Sequence, residues 1–110
     1  MISNDVIIKH MKEALFSSAS GDKIKKIIIY GSRVRGDNSS ESDYDCIVIV
    51  EKIGNEIIEA IDEFAAEMLI RFGAVFSIIP VEENNFTKNI YNPFFININR
   101  EGIVLWQKTA

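Results

Sequence analysis

The chain has 110 residues, of which 47% are apolar and 25% charged, and its net charge is −4. This length fits one domain spanning residues 1–110, and the composition excludes a disordered tail and a disulfide-stapled miniprotein. The acidic balance argues against a general nucleic-acid coat protein, and no apolar run approaches the ~18 residues of a membrane span. We therefore expect a cytoplasmic globular domain that binds neither a membrane nor, directly, nucleic acid.

The first half of the chain predicts one helix and two strands. A helix capped by Ser3 or Asn4 runs to about Phe16, because apolar residues recur there at helical spacing. A polar loop over 17–22 precedes a strand over 25–30, whose consecutive isoleucines are typical of a strand covered on both faces. Gly31 ends this strand, a second polar loop follows over 36–42, and a second strand spans 43–51.

The second half predicts a long helix and two further strands. Residues 55–72 place an apolar stripe on one helix face, and Gly73 follows as the expected stop. A third strand spans 74–81, residues 83–93 form a loop with a short helical turn, residues 94–99 are ambiguous, and a last strand covers 102–106. This order favours an α+β (or α/β) layer, with a small mixed sheet and helices mainly on one face. The stripe on the long helix comprises Ile57, Ile58, Ile61, Phe64, Ala65, Met68, Leu69 and Phe72.

A glycine-serine turn with two arginines follows the first strand. Gly31 lets the backbone come close to a ligand, and free N–H groups at the start of a helix favour phosphate. Ser32 adds a hydroxyl donor, and Arg33 and Arg35 add fixed charge suited to phosphate oxygens. This segment therefore predicts a polyphosphate site.

Two aspartates begin the second strand. Asp43 and Asp45 stand two residues apart, so both side chains point to one face of the strand, with Cα atoms ~6.5–7 Å apart. Carboxylates this close repel each other unless a cation lies between them. Mg²⁺ prefers one or two carboxylates together with substrate phosphates. The two segments together predict a metal-nucleotide site, and they lie where net charge changes from +4 over residues 1–36 to −9 over residues 37–67.

These residues resemble the signature of the DNA polymerase β-like nucleotidyltransferase superfamily. That signature is a hydrophobic residue and Gly-Ser, a gap of about nine to thirteen residues, then Asp-hydrophobic-Asp-hydrophobic. Here Gly31-Ser32 is followed by ten residues and then Asp43-Tyr44-Asp45-Cys46. The fuller pattern, Gly-Ser-x-x-Arg-Gly with Ser-Asp-x-Asp, is similar to the minimal nucleotidyltransferases, the MNT group.

The resemblance implies a polymerase β palm-like fold and a defined role for each matching residue. Gly31 and Ser32 would hold the β- and γ-phosphates of a nucleoside triphosphate, with Arg35 adding charge there and Arg33, at a variable position, as a weaker candidate. Asp43 and Asp45 would bind Mg²⁺. The implied reaction is attack of an acceptor hydroxyl on the α-phosphate of ATP or another nucleoside triphosphate, with release of pyrophosphate.

The chain departs from the family pattern on the third strand. Active members usually carry a third carboxylate there, whereas this strand has no acid and Ser77 stands at about that place. Asp37, Glu41, Glu51, Glu82 and Glu83 are the alternative acids. Two functions therefore stay open. One is transfer of a nucleotidyl group to an acceptor hydroxyl, which a partner protein could supply. The other is a catalytically weak antitoxin that binds and neutralises a HEPN-domain RNase.

At this length, we expect no room in the chain for the helical acceptor-binding domain of larger relatives. The acceptor site would then come from a partner or a homo-oligomer, or the acceptor is itself a protein. Two single residues are expected to be structural: Cys46 as a buried core thiol, and His10 as a surface residue of the first helix.

Overall fold

The computed structural model describes residues 4–16, 23–31 and 43–108 of the chain. Helix α1 is followed by strands β1 and β2, the long helix α2, strand β3, two short helices and a last strand. The bounds of these elements are α1 Asn4–Phe16, β1 Ile24–Tyr30, β2 Tyr44–Val50, α2 Asn55–Phe72, β3 Phe76–Glu82, α3 Glu83–Lys88, α4 Pro93–Glu101 and β4 Ile103–Gln107.

The four strands form one mixed sheet in the order β3-β2-β1-β4. Strand β1 is antiparallel to both β2 and β4, whereas β2 and β3 run parallel. The two central strands carry the aliphatic runs, and almost every residue of β2 is buried. Ile27 and Ile29 of β1 belong to one core and Ile28 to the other, so the prediction that this strand is covered on both faces is confirmed.

Helices α1 and α2 cover one face of the sheet, which we call the long-helix face. Its core joins Ile27 and Ile29 of β1 with Cys46 and Val48 of β2 beneath the two helices. An aromatic series ties α2 to the strands: the Phe64 ring meets Phe76 edge-on at 5.1 Å, and Phe76 stacks on Tyr44 at 4.6 Å. Gly73 ends α2 in the left-handed conformation expected of a helix stop.

The buried stripe of α2 is narrower than the predicted one. Ile57, Ile61, Phe64 and Met68 are buried together with Ala60, whereas Ile58, Leu69 and Phe72 are exposed. At about 100° per residue, Ile58 lies a quarter turn from Ile57, which places it at the margin of the stripe. The assignment of Ile58, Leu69 and Phe72 to the core is therefore wrong.

Helices α3 and α4 cover the other face, which we call the short-helix face. Its smaller core contains Ile28, Ile47 and Ile49 of the sheet beneath Phe95 and Ile98 of α4. Asn92 caps α4, since its side chain accepts a hydrogen bond from the Phe94 N–H at 2.9 Å, and Pro93 occupies the first turn. The ambiguous segment 94–99 is thus helical, and residues 83–88 form a helix rather than a single turn.

The position of His10 also differs from the predicted one. Its side chain is buried between α1 and α2, where the ring meets Phe72 edge-on at 5.6 Å. Glu13 and Glu67 lie 4.0 and 3.8 Å from Nδ1. The expected surface position is wrong because α2 packs over this side of α1. In the part of the chain that the structure describes, no helix is long and apolar enough to cross a membrane.

Candidate functional site

One edge of the sheet brings the predicted glycine and aspartate together. Strand β1 ends at Tyr30 and Gly31, and antiparallel pairing places Tyr30 opposite Asp45 at the start of β2. Strand β3 runs parallel to β2, so it also begins at this edge. The antiparallel pairing therefore places Gly31, where the predicted phosphate-binding segment begins, beside Asp45.

Gly31 is in direct contact with the Asp45 side chain. Its backbone has φ +86°, a left-handed conformation that side chains other than glycine rarely adopt. A Cβ atom added at Gly31 would collide with Oδ2 of Asp45 and would lie 3.3 Å from its carboxyl carbon. Both the backbone angle and this cradle for the carboxylate thus require glycine.

Asp43 and Asp45 differ in exposure. Asp43 precedes β2 and is exposed, whereas Asp45 is partly buried within the strand. As alternate residues of an extended chain, both belong to the short-helix face, together with Ile47. The aliphatic core beneath this face gives Asp45 a rigid support.

Helix α4 adds a wall that the sequence analysis did not identify. A pocket of about 380 Å³ lies between Tyr30, Gly31 and Asp45 on the sheet side and residues of α4 on the other. The signal that could have found this wall is a helical spacing of three, four and seven residues after Phe94, which begins in the ambiguous segment 94–99 and extends beyond it. The α4 residues are Phe94, Asn97, Ile98 and Glu101.

Tyr30 presents a neutral phenol at this site. Burial raises the pKa of its phenol, and the nearby Asp45 carboxylate and Cys46 raise that pKa further. The ring also meets Phe94 edge-on at 5.7 Å. The phenol therefore keeps its proton at neutral pH.

The Cys46 side chain points to the long-helix face, and its thiol is unreactive. It is fully buried in the long-helix core. Burial, and secondarily Asp45, raise the pKa of its thiol from 9.0 to about 12. The reactive thiolate is thus suppressed at neutral pH, which agrees with the predicted core role.

Ser77 lies beside Asp45, because the parallel register pairs these two residues. The alternative acids at the C-terminal ends of β2 and β3 are at the opposite edge of the sheet. Glu82 pairs with Val50, and its carboxylate accepts a hydrogen bond from the Ile53 N–H at 2.9 Å. Glu51 follows β2 at that same far edge, and Glu83 begins α3 there. None of these three replaces the carboxylate missing at Ser77.

The remaining predicted residues fall outside the described ranges. These are Ser32, Arg33 and Arg35, together with Asp37 and Glu41. Among the residues described, no three His, Cys, Asp or Glu side chains converge as a metal cluster. Two hard carboxylates beside a glycine turn nevertheless fit a divalent cation that takes its other ligands from substrate phosphates and water.

Comparison with known sequences gives two matches over most of the chain. The family model "Polymerase beta, Nucleotidyltransferase" matches residues 13–109. A relative from Methanocaldococcus jannaschii, named "Putative protein adenylyltransferase MJ0604", is 33% identical over 105 residues, which cover 96% of this chain and 100% of that protein.

Solved structures share the architecture at lower identity. A chain in a crystal structure of a toxin-antitoxin with AMP-PNP has a TM-score of 0.65 and 17% identity, covering 98% of this chain and 76% of that one. A chain in the complex of tri-AMPylated Shewanella oneidensis HEPN toxin with MNT antitoxin has a TM-score of 0.54 and 17% identity, covering 96% and 70%. At such identities the likeness concerns the fold alone, and the fold is the one that the resemblance implied.

Proposed function

The chain belongs to the polymerase β nucleotidyltransferase family, and from that premise we propose that it transfers AMP from ATP to a hydroxyl group of a protein. Family membership itself establishes a nucleoside triphosphate substrate and a divalent metal. The narrower choices, ATP, Mg²⁺ and a protein acceptor, rest on the adenylyltransferase relative and on the chemistry of the site.

The contact between Gly31 and Asp45 carries the proposal. It joins the glycine that begins the predicted phosphate-binding segment to a carboxylate suited to a divalent metal. The residue proposed to bind phosphate and the residue proposed to bind the metal are thus in direct contact.

Each residue of the signature has a proposed role. Gly31 and Ser32 bind the β- and γ-phosphates, and Arg35 and Arg33 add positive charge near them. Asp43 and Asp45 hold Mg²⁺. When bound, this ion neutralises the triphosphate oxygens and polarises the α-phosphate.

The proposed chemistry is an in-line displacement. The acceptor hydroxyl oxygen forms a bond to the α-phosphorus while the bond from that phosphorus to the bridging oxygen of the β-phosphate breaks. Pyrophosphate leaves, and the hydroxyl proton passes to solvent. The protein's contribution is to hold the triphosphate in one orientation and to stabilise its charge.

A second candidate function is a binding antitoxin with weak or no transfer activity, which neutralises a HEPN-domain RNase. The observation that favours it is Ser77, whose neutral hydroxyl lies beside Asp45 where a third carboxylate would assist the attacking oxygen. The likeness to chains in toxin-antitoxin complexes makes a HEPN-domain protein the first partner to test.

Titration calorimetry with Mg²⁺ and α,β-methylene ATP tests the site. We expect the wild type to bind and the Asp45→Asn variant to lose at least about tenfold in affinity, because a charged metal ligand is replaced by a neutral one. Asp62→Asn is the matched control, since Asp62 is an exposed residue of α2 far along the chain from the motif. Equal binding by wild type and Asp45→Asn would refute the site.

A second assay separates the two functions. Purified protein is mixed with a HEPN-domain RNase and ATP labelled at the α-phosphate, and both label transfer and RNase activity are followed. A transferase labels its partner, and Asp45→Asn loses both labelling and neutralisation. A binding antitoxin neutralises the RNase without labelling, and Asp45→Asn retains this effect.

A further inference from the structure

We propose that the wall formed by α4 is the nucleoside subsite, with Phe94 stacking on the adenine, Asn97 binding its edge and Glu101 accepting hydrogen bonds from the ribose hydroxyls. The inference rests on the proposed nucleotide-binding function. It assigns the part of the ligand that the glycine-aspartate signature does not contact.

The described residues of the pocket make the α4 wall less suited to the triphosphate than to the nucleoside. The described residues that line the pocket include two carboxylates, of Asp45 and Glu101, and no lysine, arginine or histidine. Phosphate oxygens would be repelled by the Glu101 carboxylate unless a cation lay between them. The α4 side of the pocket therefore suits the uncharged end of a nucleotide.

An aromatic surface borders the same space. The Phe94 side chain is 40% exposed, although it is held edge-on by Tyr30 at 5.7 Å and packs against Phe95 at 5.8 Å. A ring that is fixed by its neighbours yet open on one side is a platform for a planar base. Phe95, one residue along the helix, is instead buried in the core and anchors the wall.

Two polar residues, Asn97 and Glu101, lie about one and two helical turns after Phe94. Asn97 carries an amide, which can pair with the N6 and N7 edge of adenine as both donor and acceptor. Glu101 carries a carboxylate that accepts hydrogen bonds only, and the ribose diol supplies two donors. The aromatic, amide and carboxylate groups on one face of α4 thus supply a partner for the face of the base, for its edge and for the ribose.

The wall is fixed relative to the phosphate end. Glu101 is the last residue of α4, and Gly102 then turns the chain into β4 directly against β1. A Cβ at Gly102 would lie 2.5 Å from both an Ile28 methyl and the Ile98 carbonyl oxygen. This close approach holds Glu101 at the same sheet edge as Gly31. The pocket of about 380 Å³ is in the range of small-ligand sites.

The test compares a nucleotide with a ligand that lacks the nucleoside. Calorimetry in Mg²⁺ measures α,β-methylene ATP and inorganic tripolyphosphate on the wild type and on Phe94→Leu. We expect Phe94→Leu to weaken the nucleotide about tenfold and to leave tripolyphosphate unchanged, because only stacking is lost. Tyr91→Leu, which replaces an exposed aromatic residue outside the pocket, is the matched control and should bind both ligands as the wild type does.

Glu101→Gln tests the ribose contact. We expect the wild type to bind ATP about tenfold more tightly than at least one of 2′-deoxy- and 3′-deoxy-ATP, and Glu101→Gln to lose most of this preference, since an ionic acceptor is replaced. Circular dichroism confirms that each variant is folded.

The outcomes separate this inference from the proposed function. A wild type that binds neither ligand overturns both. Normal nucleotide binding by both Phe94→Leu and Glu101→Gln overturns the nucleoside subsite alone, while the Asp45→Asn result still decides the phosphate and metal end. Equal weakening of nucleotide and tripolyphosphate by Phe94→Leu also overturns the subsite, because α4 would then act on the phosphates or on the fold.

Discussion

The two faces of the sheet divide stability and binding between them. The long-helix face buries the larger core beneath a 13-residue and an 18-residue helix. The short-helix face has a smaller core beneath helices of six and nine residues, and it contains Asp45 and the pocket. The same strands supply both faces through alternating side chains, so the comparison shows how one face can hold the fold while the other is left partly open for a ligand.

The adjacent residues Asp45 and Cys46 show this division at a single peptide bond. Asp45 points to the pocket and Cys46 to the closed core, where its thiol pKa is raised to about 12. A shift of one residue in strand register would exchange them, placing a carboxylate in the core and removing it from the pocket. The buried aliphatic residues of β2 therefore also determine the position of the functional side chain.

Truncation of the central aromatic residue on the long-helix face is expected to have the largest effect. Phe64→Ala removes a fully buried ring that contacts Phe76, and should lower the free energy of unfolding by about 3–5 kcal/mol. Urea unfolding measures this loss. Ile70→Ala on the same helix is the control, since Ile70 is 83% exposed and its truncation should change stability by less than about 0.5 kcal/mol. A similar loss for both variants would contradict the assigned core.

Alkaline pH should have the next largest effect on stability, and it should act through Cys46 in the core of the long-helix face. The Cys46 thiol has a folded-state pKa raised from 9.0 to about 12, so the unfolded state releases its proton first. Stability is then unaffected by this group below about pH 9 and falls as pH rises toward 12, by on the order of a few kcal/mol over the whole window. Urea unfolding from pH 8 to 11 should show a shallower decline for Cys46→Ala. Tyr30, whose pKa is also raised, contributes in the same direction in both proteins. Identical slopes would contradict the buried-thiol cause.

Substitution of the site glycine should cost the least stability and yet weaken nucleotide binding. Gly31→Ala forces a left-handed alanine and a collision with Asp45, at a cost of about 1–2 kcal/mol for the backbone alone. We expect nucleotide affinity to fall at least about tenfold, because the carboxylate must move. Gly73→Ala isolates the backbone term, since Gly73 also has positive φ (64°) but has open space around it. If Gly31→Ala binds nucleotide as Gly73→Ala does, the Asp45 contact has no functional role.

Local sequence patterns were enough to predict the main helices and strands and the proximity of Gly31 to Asp45. The stripe and stop signals of α2 predicted its bounds at residues 55 and 72, and the continuous apolar run over residues 46–50 predicted the second strand. Propensity predicted less well where packing decides exposure. Ile58, Leu69 and Phe72 are apolar and lie at helical spacing, but the width of the covering surface, which no local pattern encodes, leaves them exposed. His10 is buried for the converse reason, because α2 crosses over it.

The sequence by itself determined the family and the residues of its signature, since a glycine-serine turn and paired aspartates are local chemical features next to strand-forming runs. Only the tertiary structure decided how distant segments meet. The parallel register places Ser77 beside Asp45 and carries Glu82 to the far edge. Packing of α4 on β1 brings Phe94, Asn97 and Glu101 to the pocket from about 50 residues further along the chain than Asp45. Contacts of this kind depend on the summed burial of two core faces, which no single segment specifies.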